Sequence, residues 1–373
     1  MLAYIVRRLL LIVPTILGIL LVSFLVIQFA PGGPVEQAIA QLTGADVSTS
    51  DRLNRSGGET FRPNNPGATG FDTTSSRYRG AQGLDPQIIK DLEKQFGFDK
   101  PAHERFLLLL WNYARFDFGR SYFHDAQVLD LIIQKMPVSI SLGLWLTLLT
   151  YLISIPLGIA KAVRDGTRFD SWTSIVVIVG YAIPAFMFAI FLIVVFAGGS
   201  LNLPWGLSSA FPLRGLTSPN WHELSLLGKI GDYFWHLALP ITAMLLGSFA
   251  TMTLLTKNSF LDEIRKQYVV TARMKGLSER RVLYGHVFRN AMLPQITGLA
   301  WSIATMVGGA LVAEIIFSYP GLGSTILTAV LGQDYPLISA TTLIVTIMVL
   351  AANFGIEIIY GILDPRIKAA QAD

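Results

Sequence analysis

The sequence predicts an all-α membrane protein built on six transmembrane helices, and three observations carry that prediction. The chain of 373 residues is 52% hydrophobic and only 14% charged, which is more apolar surface than a water-soluble core absorbs. Six segments stay apolar over the roughly 20 residues that a helix needs to cross a hydrocarbon core about 30 Å thick. Lys and Arg concentrate in the connections that fall on one side of a six-span arrangement. Helical hydrogen bonding within each segment is how such a span satisfies its backbone in lipid.

The first span lies near Leu9 to Ala30, in an N-terminal segment of residues 1–30. Arg7 and Arg8 precede it as a cytoplasmic anchor, and its length, with Pro31 and Gly32 following, reads as an uncleaved helix and not as a signal peptide. Residues 31–137 form one large insert on the outer side. Its part 44–84 is rich in Gly, Ser, Thr, Asn and Pro without apolar periodicity and reads as a mobile loop. Its part 85–137 reads as helical. Asp85 and Pro86 open a helix with Ile88, Ile89, Leu92 and Phe96 on one face and Gly97 at its end. Pro101 opens a second, with a stripe of Phe106, Leu107, Leu110, Trp111 and Ala114 closed by Gly119. A third runs through Val128, Leu129, Ile132 and Ile133 and stops before Pro137.

Residues 138–363 form the core, with spans near Val138 to Ala160, Ser171 to Ala197, Leu237 to Leu255, Gln295 to Phe317 and Leu337 to Tyr360. Pro156 and Pro184 sit inside their spans and predict kinks. Lys161, Arg164 and Arg168 join the second span to the third, and Arg366 and Lys368 lie in the tail, residues 364–373. The loop 257–294 adds Lys257, Arg265, Lys266, Arg273, Lys275, Arg280, Arg281 and Arg289, whereas the connection from Tyr319 to Pro336 carries only Asp334 as a charge. Both termini are then cytoplasmic. The outer loop from Ser200 to Trp235 holds Pro204, Trp205, Pro212, Pro219, Trp221 and Trp235, which serve either as headgroup anchors or as a surface for a delivering protein.

Little in the chain points to chemistry of its own. There is no cysteine, and the five histidines, His103, His124, His222, His236 and His286, have no metal-ligand spacing. A net charge of +4 is too small to imply nucleic acid. The one Gly-Lys pair, Gly228-Lys229, has Glu223 where a P-loop needs its first glycine, so the chain is not expected to hydrolyse ATP. Hydrolase signatures such as Gly-x-Ser-x-Gly or His-Glu-x-x-His are missing too, and no catalytic, cofactor-binding or metal residues are assigned.

The most informative stretch is Tyr268 to Pro294, polar and basic between two apolar spans. From Asp262 to Gly276, Ile264, Tyr268, Val269 and Ala272 alternate with Arg265, Lys266, Arg273 and Lys275 at helical spacing, and Gly276 supplies a left-handed stop. A second helical piece starts at Ser278 and runs to Pro294. Periodicity alone leaves two readings open, a basic helix lying on anionic lipid or a helix offered to a partner.

The residues Thr271, Ala272, Arg273, Lys275 and Gly276, followed by His286, Arg289, Asn290, Ala291, Leu293 and Pro294, resemble the docking loop in membrane subunits of ATP-binding-cassette importers of the dipeptide, oligopeptide and nickel family. The wider Glu-Ala-Ala pattern is here Val270-Thr271-Ala272, without the Glu, as is usual in this branch. The family's Pro-Gly-Asp-Pro after the first span is here Pro31-Gly32-Gly33-Pro34, so no role of that Asp is carried over. The long insertion 44–84 is similar to that of Yej-type importers of peptides and microcin C. The resemblance implies a type I importer permease fold in the bacterial inner membrane and a peptide substrate, with a nickel chelate as the alternative. It also implies a second homologous permease, a periplasmic solute-binding protein, and ATPase subunits with two nucleotide-binding domains that carry the ATP and Mg. Tyr268, Thr271, Ala272, Arg273, Lys275, Gly276, Leu277, His286, Arg289 and Asn290 would then meet the ATPase.

Two carboxylates, Glu314 and Glu357, fall inside spans, where a charge costs at least ~2.5 kcal/mol unless it finds water or a partner. Glu357 lies near a cytoplasmic end and reads as structural. Glu314 opens a Glu-x-x-Phe-x-x-Pro-Gly-Leu-Gly run that resembles the family's motif at the outer end of the fifth span. Glu314, Tyr319, Pro320 and Gly321 are thus candidates for a gate or pathway, with a structural hydrogen bond as the other reading of Glu314. Ala300, Ala304 and Gly308 recur every four residues and predict close helix packing. An ion-coupled secondary transporter is the rival class; besides the two carboxylates, only His236 is offered as a relay.

Overall fold

The computed structural model describes residues 2–29, 39, 87–90, 100–124, 126–199, 209–308 and 310–363. Among them the backbone is helical, with turns between helices and one isolated bridge pairing Arg120 with Gln127. The loop 44–84, the apolar face at Leu92 and Phe96, Pro204, Trp205 and the tail 364–373 lie outside the described residues.

Helix α1 covers Leu2–Phe29 and α2 covers Ala102–Ala114. The second insert helix thus begins at Pro101 as expected but ends five residues short of Gly119, where Phe116 adopts a left-handed φ of 58°. Its predicted stripe is also off by a face, since Trp111 and Leu107 are exposed while Tyr113 is buried. The expected helix before Pro137 is not separate. It fuses with the second span into α3, Val128–Val163, which runs through Pro137 and Pro156. A proline removes one hydrogen bond, but in apolar surroundings the freed carbonyl has no water to pull the helix apart.

The third span is broken where the sequence suggested a kink. Helices α4, Arg168–Ala182, and α5, Ala185–Phe196, meet at Ile183 and Pro184 with an 88° bend. The fourth is longer than expected: α6, Leu226–Ile264, runs for 39 residues from a Ser225 cap whose hydroxyl accepts the Gly228 N–H at 3.2 Å. After α6 come the short helices α7, Gln267–Met274, α8, Glu279–Val282, and α9, Phe288–Ala291, with one π-helical turn, Leu283–Val287, between the last two.

The expected fifth span is split into α10, Leu293–Gly308, and α11, Leu311–Ile316. The connection after it, read as a loop, contains an apolar helix α12, Leu322–Gly332, before α13, Tyr335–Leu363. Among the described residues four helices are individually long and apolar enough to cross a membrane, namely those at Val6–Gln28, Val128–Val163, Leu226–Ile264 and Tyr335–Tyr360, and α4 with α5 makes a fifth, bent candidate.

The chain groups into two units. In the first, residues 1–13, 132–325 and 344–373, α6 is the strut against which α4, α5, α10 and α11 pack. One apolar cluster there gathers Leu142, Leu237, Phe317 and Tyr319; another gathers Phe260, Val269, Val282 and Val287 beneath the short helices. Arg8 pairs with Glu357 at 2.5 Å, which gives that in-span carboxylate its partner. In the second, residues 14–131 and 326–343, Ser121 accepts the N–H groups of Phe123 and His124 and donates to the buried carboxylate of Asp334.

Candidate functional site

The predicted docking helix starts later than the sequence indicated, because Asp262 to Ile264 still belong to α6 and the chain turns at Arg265 and Lys266. Glu263, buried at the end of α6, accepts hydrogen bonds from the Tyr268 hydroxyl at 2.6 Å and from Lys266, pinning the first turn of α7. Burial, reinforced by Glu263, pushes the Tyr268 hydroxyl up to about 12, so it remains a donor at neutral pH. Asn290 donates to the same hydroxyl at 3.4 Å and so ties α9 to the start of α7.

At its other end α7 stops as predicted. Gly276 takes φ +77°, its N–H donates to Arg273 O at 2.9 Å, and the Leu277 N–H reaches back to Ala272 O at 3.4 Å. Those paired bonds satisfy the last carbonyls of the helix and require a left-handed residue, which glycine adopts without strain. Arg273 then forms a bidentate pair with Glu279 across the turn, at 2.9 and 3.1 Å.

The loop therefore has a fixed inner face and an open outer one. Val269 and Ala272 are buried, with Val282, Val287 and Ala291, whereas Val270, Thr271, Met274, Lys275 and His286 point outward. Met274 is 84% exposed and Tyr284 56%, in a polar, basic surround. Apolar side chains held out on a rigid, cationic frame are what a protein partner covers.

At Glu314 the arrangement is closed. Its carboxylate is fully buried and accepts from the Ser139 hydroxyl at 2.7 Å and from the Ser324 N–H at 2.8 Å. The Ser139 oxygen in turn accepts the Leu322 N–H at 2.7 Å. Glu314 and Ser139 thus satisfy two of the orphan N–H groups that open α12, with the carboxyl group placed at the N-terminus of that helix. Gly321 is required by proximity, since a Cβ there would fall 2.3 Å from Glu314 Cδ. Tyr319 is buried and donates to His236 O at 2.7 Å, while Pro320 is exposed. His236 is buried too, its Nδ1 lying 2.8 Å from Asp232 O.

Ala300 is buried on α10, while the side-chain positions at Ala304 and Gly308 lie outside the described residues. Two close helix approaches involve glycines of α3 not singled out in the sequence. A Cβ on Gly143 would lie 2.6 Å from Met306 Cα, and one on Gly158 would lie 2.6 Å from Thr256 Cβ. The two broken spans meet α6 around an apolar cavity of about 300 Å³, lined among others by Ala185, Ala189, Met244, Ser248, Ala310 and Ala313. Among the described residues no cluster of His, Cys, Asp or Glu could hold a metal ion.

This helical frame, with an exposed basic loop between α6 and α10, coincides with a family match: residues 154–369 fit the binding-protein-dependent transport system inner membrane component family, and the chain belongs to it. It is a membrane-embedded permease subunit of an ATP-binding-cassette importer, in a family whose members are not the catalytic subunits. Among individual proteins, it is 57% identical over its full length to the peptidoglycan transport system permease protein YejB of Agrobacterium fabrum, covering 99% of that protein. It is 50% identical to the inner membrane ABC transporter permease protein YejB of Escherichia coli O157:H7, over 98% of both chains. It is 33% identical to the oligopeptide transport system permease protein AppB of Bacillus subtilis, over 99% of this chain and 100% of the other.

Proposed function

We propose that this chain, paired with a second homologous permease, forms the membrane path of an importer that takes peptides or peptide-like solutes from a periplasmic binding protein. The transport roles named for its relatives, peptidoglycan and oligopeptide transport, support that substrate class. ATP and Mg belong to a separate ATPase with two nucleotide-binding domains. The topology that fits is six spans with both termini cytoplasmic, an outer insert at 31–137, a core at 138–363 and a short tail. The fifth span is then α10 with α11, interrupted near Ala310, and the third is the bent pair α4 and α5.

The observation that carries the proposal is the outward face of the docking loop, with Met274 and Lys275 presented beside the fixed turn at Gly276. In this reading Thr271, Arg273, Lys275, Gly276, Leu277, His286, Arg289 and Asn290 surround the ATPase contact, with Tyr268 and Ala272 setting its base. Glu314, Tyr319, Pro320 and Gly321 act as a brace at the outer end of the core, because both Glu314 oxygens are taken up by Ser139 of α3 and the first turn of α12.

The test is to purify the chain with its candidate partners and reconstitute them with a mixture of tri- to hexapeptides. Uptake that requires ATP, the ATPase and the binding protein is expected. Uptake that persists without the ATPase and collapses with the proton gradient would replace the proposal with an ion-coupled transporter.

A further inference from the structure

The connection between the second and third spans is held to α6 by charges that the docking loop does not use. Lys161, at the end of α3, is completely buried. Its Nζ donates to Asp170 O at 2.9 Å and to the hydroxyls of Thr173 and Ser174 at 2.8 Å each, and it pairs with Asp170 Oδ1 at 3.0 Å. Asp170 is in the first turn of α4, so Lys161 closes the α3–α4 hairpin on itself.

The second carboxylate oxygen of Asp170 faces a different element. It receives Lys257 Nζ from α6 at 2.7 Å, together with the Gly166 N–H at 3.3 Å. Lys257 also pairs with Asp165 at 2.9 Å, and Arg265 approaches the other oxygen of Asp165 at 3.7 Å. Both acidic groups of the hairpin are therefore engaged by the last two turns of α6, directly before α7 begins at Gln267. Below the ion pairs, Gly158 of α3 lies so close to Thr256 of α6 that no side chain fits between them.

The placement has a mechanical meaning. A buried ammonium with four oxygen neighbours is costly to disengage, because each lost partner leaves desolvated charge behind. Of the two Lys257 pairs, the one with Asp170 is the more protected, with 14% and 9% of the Lys257 and Asp170 side chains accessible against 40% for Asp165, so water screens it less than a surface pair. An element fixed in this way moves with its partner.

We propose that the Lys161–Asp170–Lys257–Asp165 clamp couples the α3–α4 hairpin to the docking helix, so that displacement of α7 by a partner ATPase is passed through the end of α6 to the second and third spans together. Lys257 and the two aspartates are positioning residues for transport and touch neither nucleotide nor solute. The inference rests on the docking reading of α7 given above.

The test uses the reconstituted complex with the tri- to hexapeptide mixture, reading peptide taken up per ATP hydrolysed. Lys257→Gln is expected to retain the ATPase in the complex and to hydrolyse ATP, while uptake per ATP falls roughly fivefold or more. Lys257→Arg, which keeps the charge and can reach both aspartates, is expected to recover most of that ratio. Asp165→Asn, which removes only the more exposed partner, should fall between them. A wild-type ratio in Lys257→Gln, or equal defects in Lys257→Gln and Lys257→Arg, would overturn the proposal. Failure of both Lys257→Gln and Asp165→Asn to assemble would overturn it too, by making the clamp a folding element. Gly276→Pro serves as the separate control: if it couples normally the docking reading itself fails, whereas uncoupling by Gly276→Pro with normal Lys257→Gln rejects the clamp alone.

Discussion

The docking loop and the Glu314 turn are both short runs around a left-handed or crowded glycine, yet they spend their polar groups in opposite ways. At Glu314 both oxygens, the Ser139 hydroxyl and the first N–H groups of α12 are mutually satisfied in a site without solvent. At the loop, Glu263, Tyr268 and Asn290 pin the inner side and Arg273 pairs with Glu279 at the surface, while Met274, Tyr284 and Lys275 face out. A region that completes itself is suited to bracing, and a region with an apolar, cationic outer face is suited to covering by another molecule. The difference lies in burial and pairing, which motif resemblance alone does not reveal.

The largest expected effect tests the brace. Glu314→Leu leaves the Ser324 N–H and the Ser139 hydroxyl without their acceptor, a loss of about 3 kcal/mol at the level of 1–3 kcal/mol per buried unsatisfied group. It should show as reduced yield and melting temperature of the purified protein. Glu314→Gln keeps an acceptor and should assemble with near-normal uptake per complex. A tenfold loss of uptake in a fully assembled Glu314→Gln complex would instead make this carboxylate part of the solute path and erase the contrast with the loop. Ser139→Ala should cost about 2 kcal/mol of stability, since the buried Leu322 N–H loses its acceptor and one Glu314 oxygen its donor while the Ser324 N–H still reaches the carboxylate. Equal destabilisation by Ser139→Ala and Glu314→Leu would place the whole brace on the hydroxyl.

Next in size is Gly276→Pro, which cannot hold φ +77° because the pyrrolidine ring fixes φ near −65°. We expect about a tenfold drop in uptake per ATP, equivalent to about 1.4 kcal/mol of coupling, with insertion of the spans unchanged. Wild-type coupling would show the outward face to be a lipid-lying surface.

The smallest effect belongs to the exposed pair. Arg273→Ala should change stability by only a few tenths of a kcal/mol, because Arg273 and Glu279 are 42% and 72% exposed and solvent screens them. If it reduces ATPase retention well beyond that, as read by co-purification, the guanidinium reaches the partner as well as Glu279.

Much of this was legible in the sequence because it depends on local rules. The helix stop at Gly276, the break at Pro184 and the long apolar spans follow from glycine, proline and hydropathy, which act within a few residues. What was not legible depends on residues far apart. Ser139 meets Glu314 across 175 positions, and Lys257 meets Asp170 across 87. Nothing in the local pattern of Val138-Ser139-Ile140 marks that serine as a cap for a helix near residue 322. The split at Ala310 and the helix α12 were missed for another reason: both are uncharged, so hydropathy reads the first as continuous and the second as too short to cross. The lack of Lys and Arg between Tyr319 and Pro336 supports an expected orientation and says nothing of the helix within that stretch.

Helix α6 has 39 residues, about 58 Å at 1.5 Å per residue, nearly twice the hydrocarbon thickness. Near one end its His236 carbonyl receives Tyr319 from the Glu314 turn, and near the other its Lys257 and Glu263 grip the hairpin and the docking helix. Such a rod works as a lever: a tilt of about 5° about one end sweeps the other through about 5 Å. A helix that stays straight over that length would tie displacement at one end to displacement at the other through a single angle.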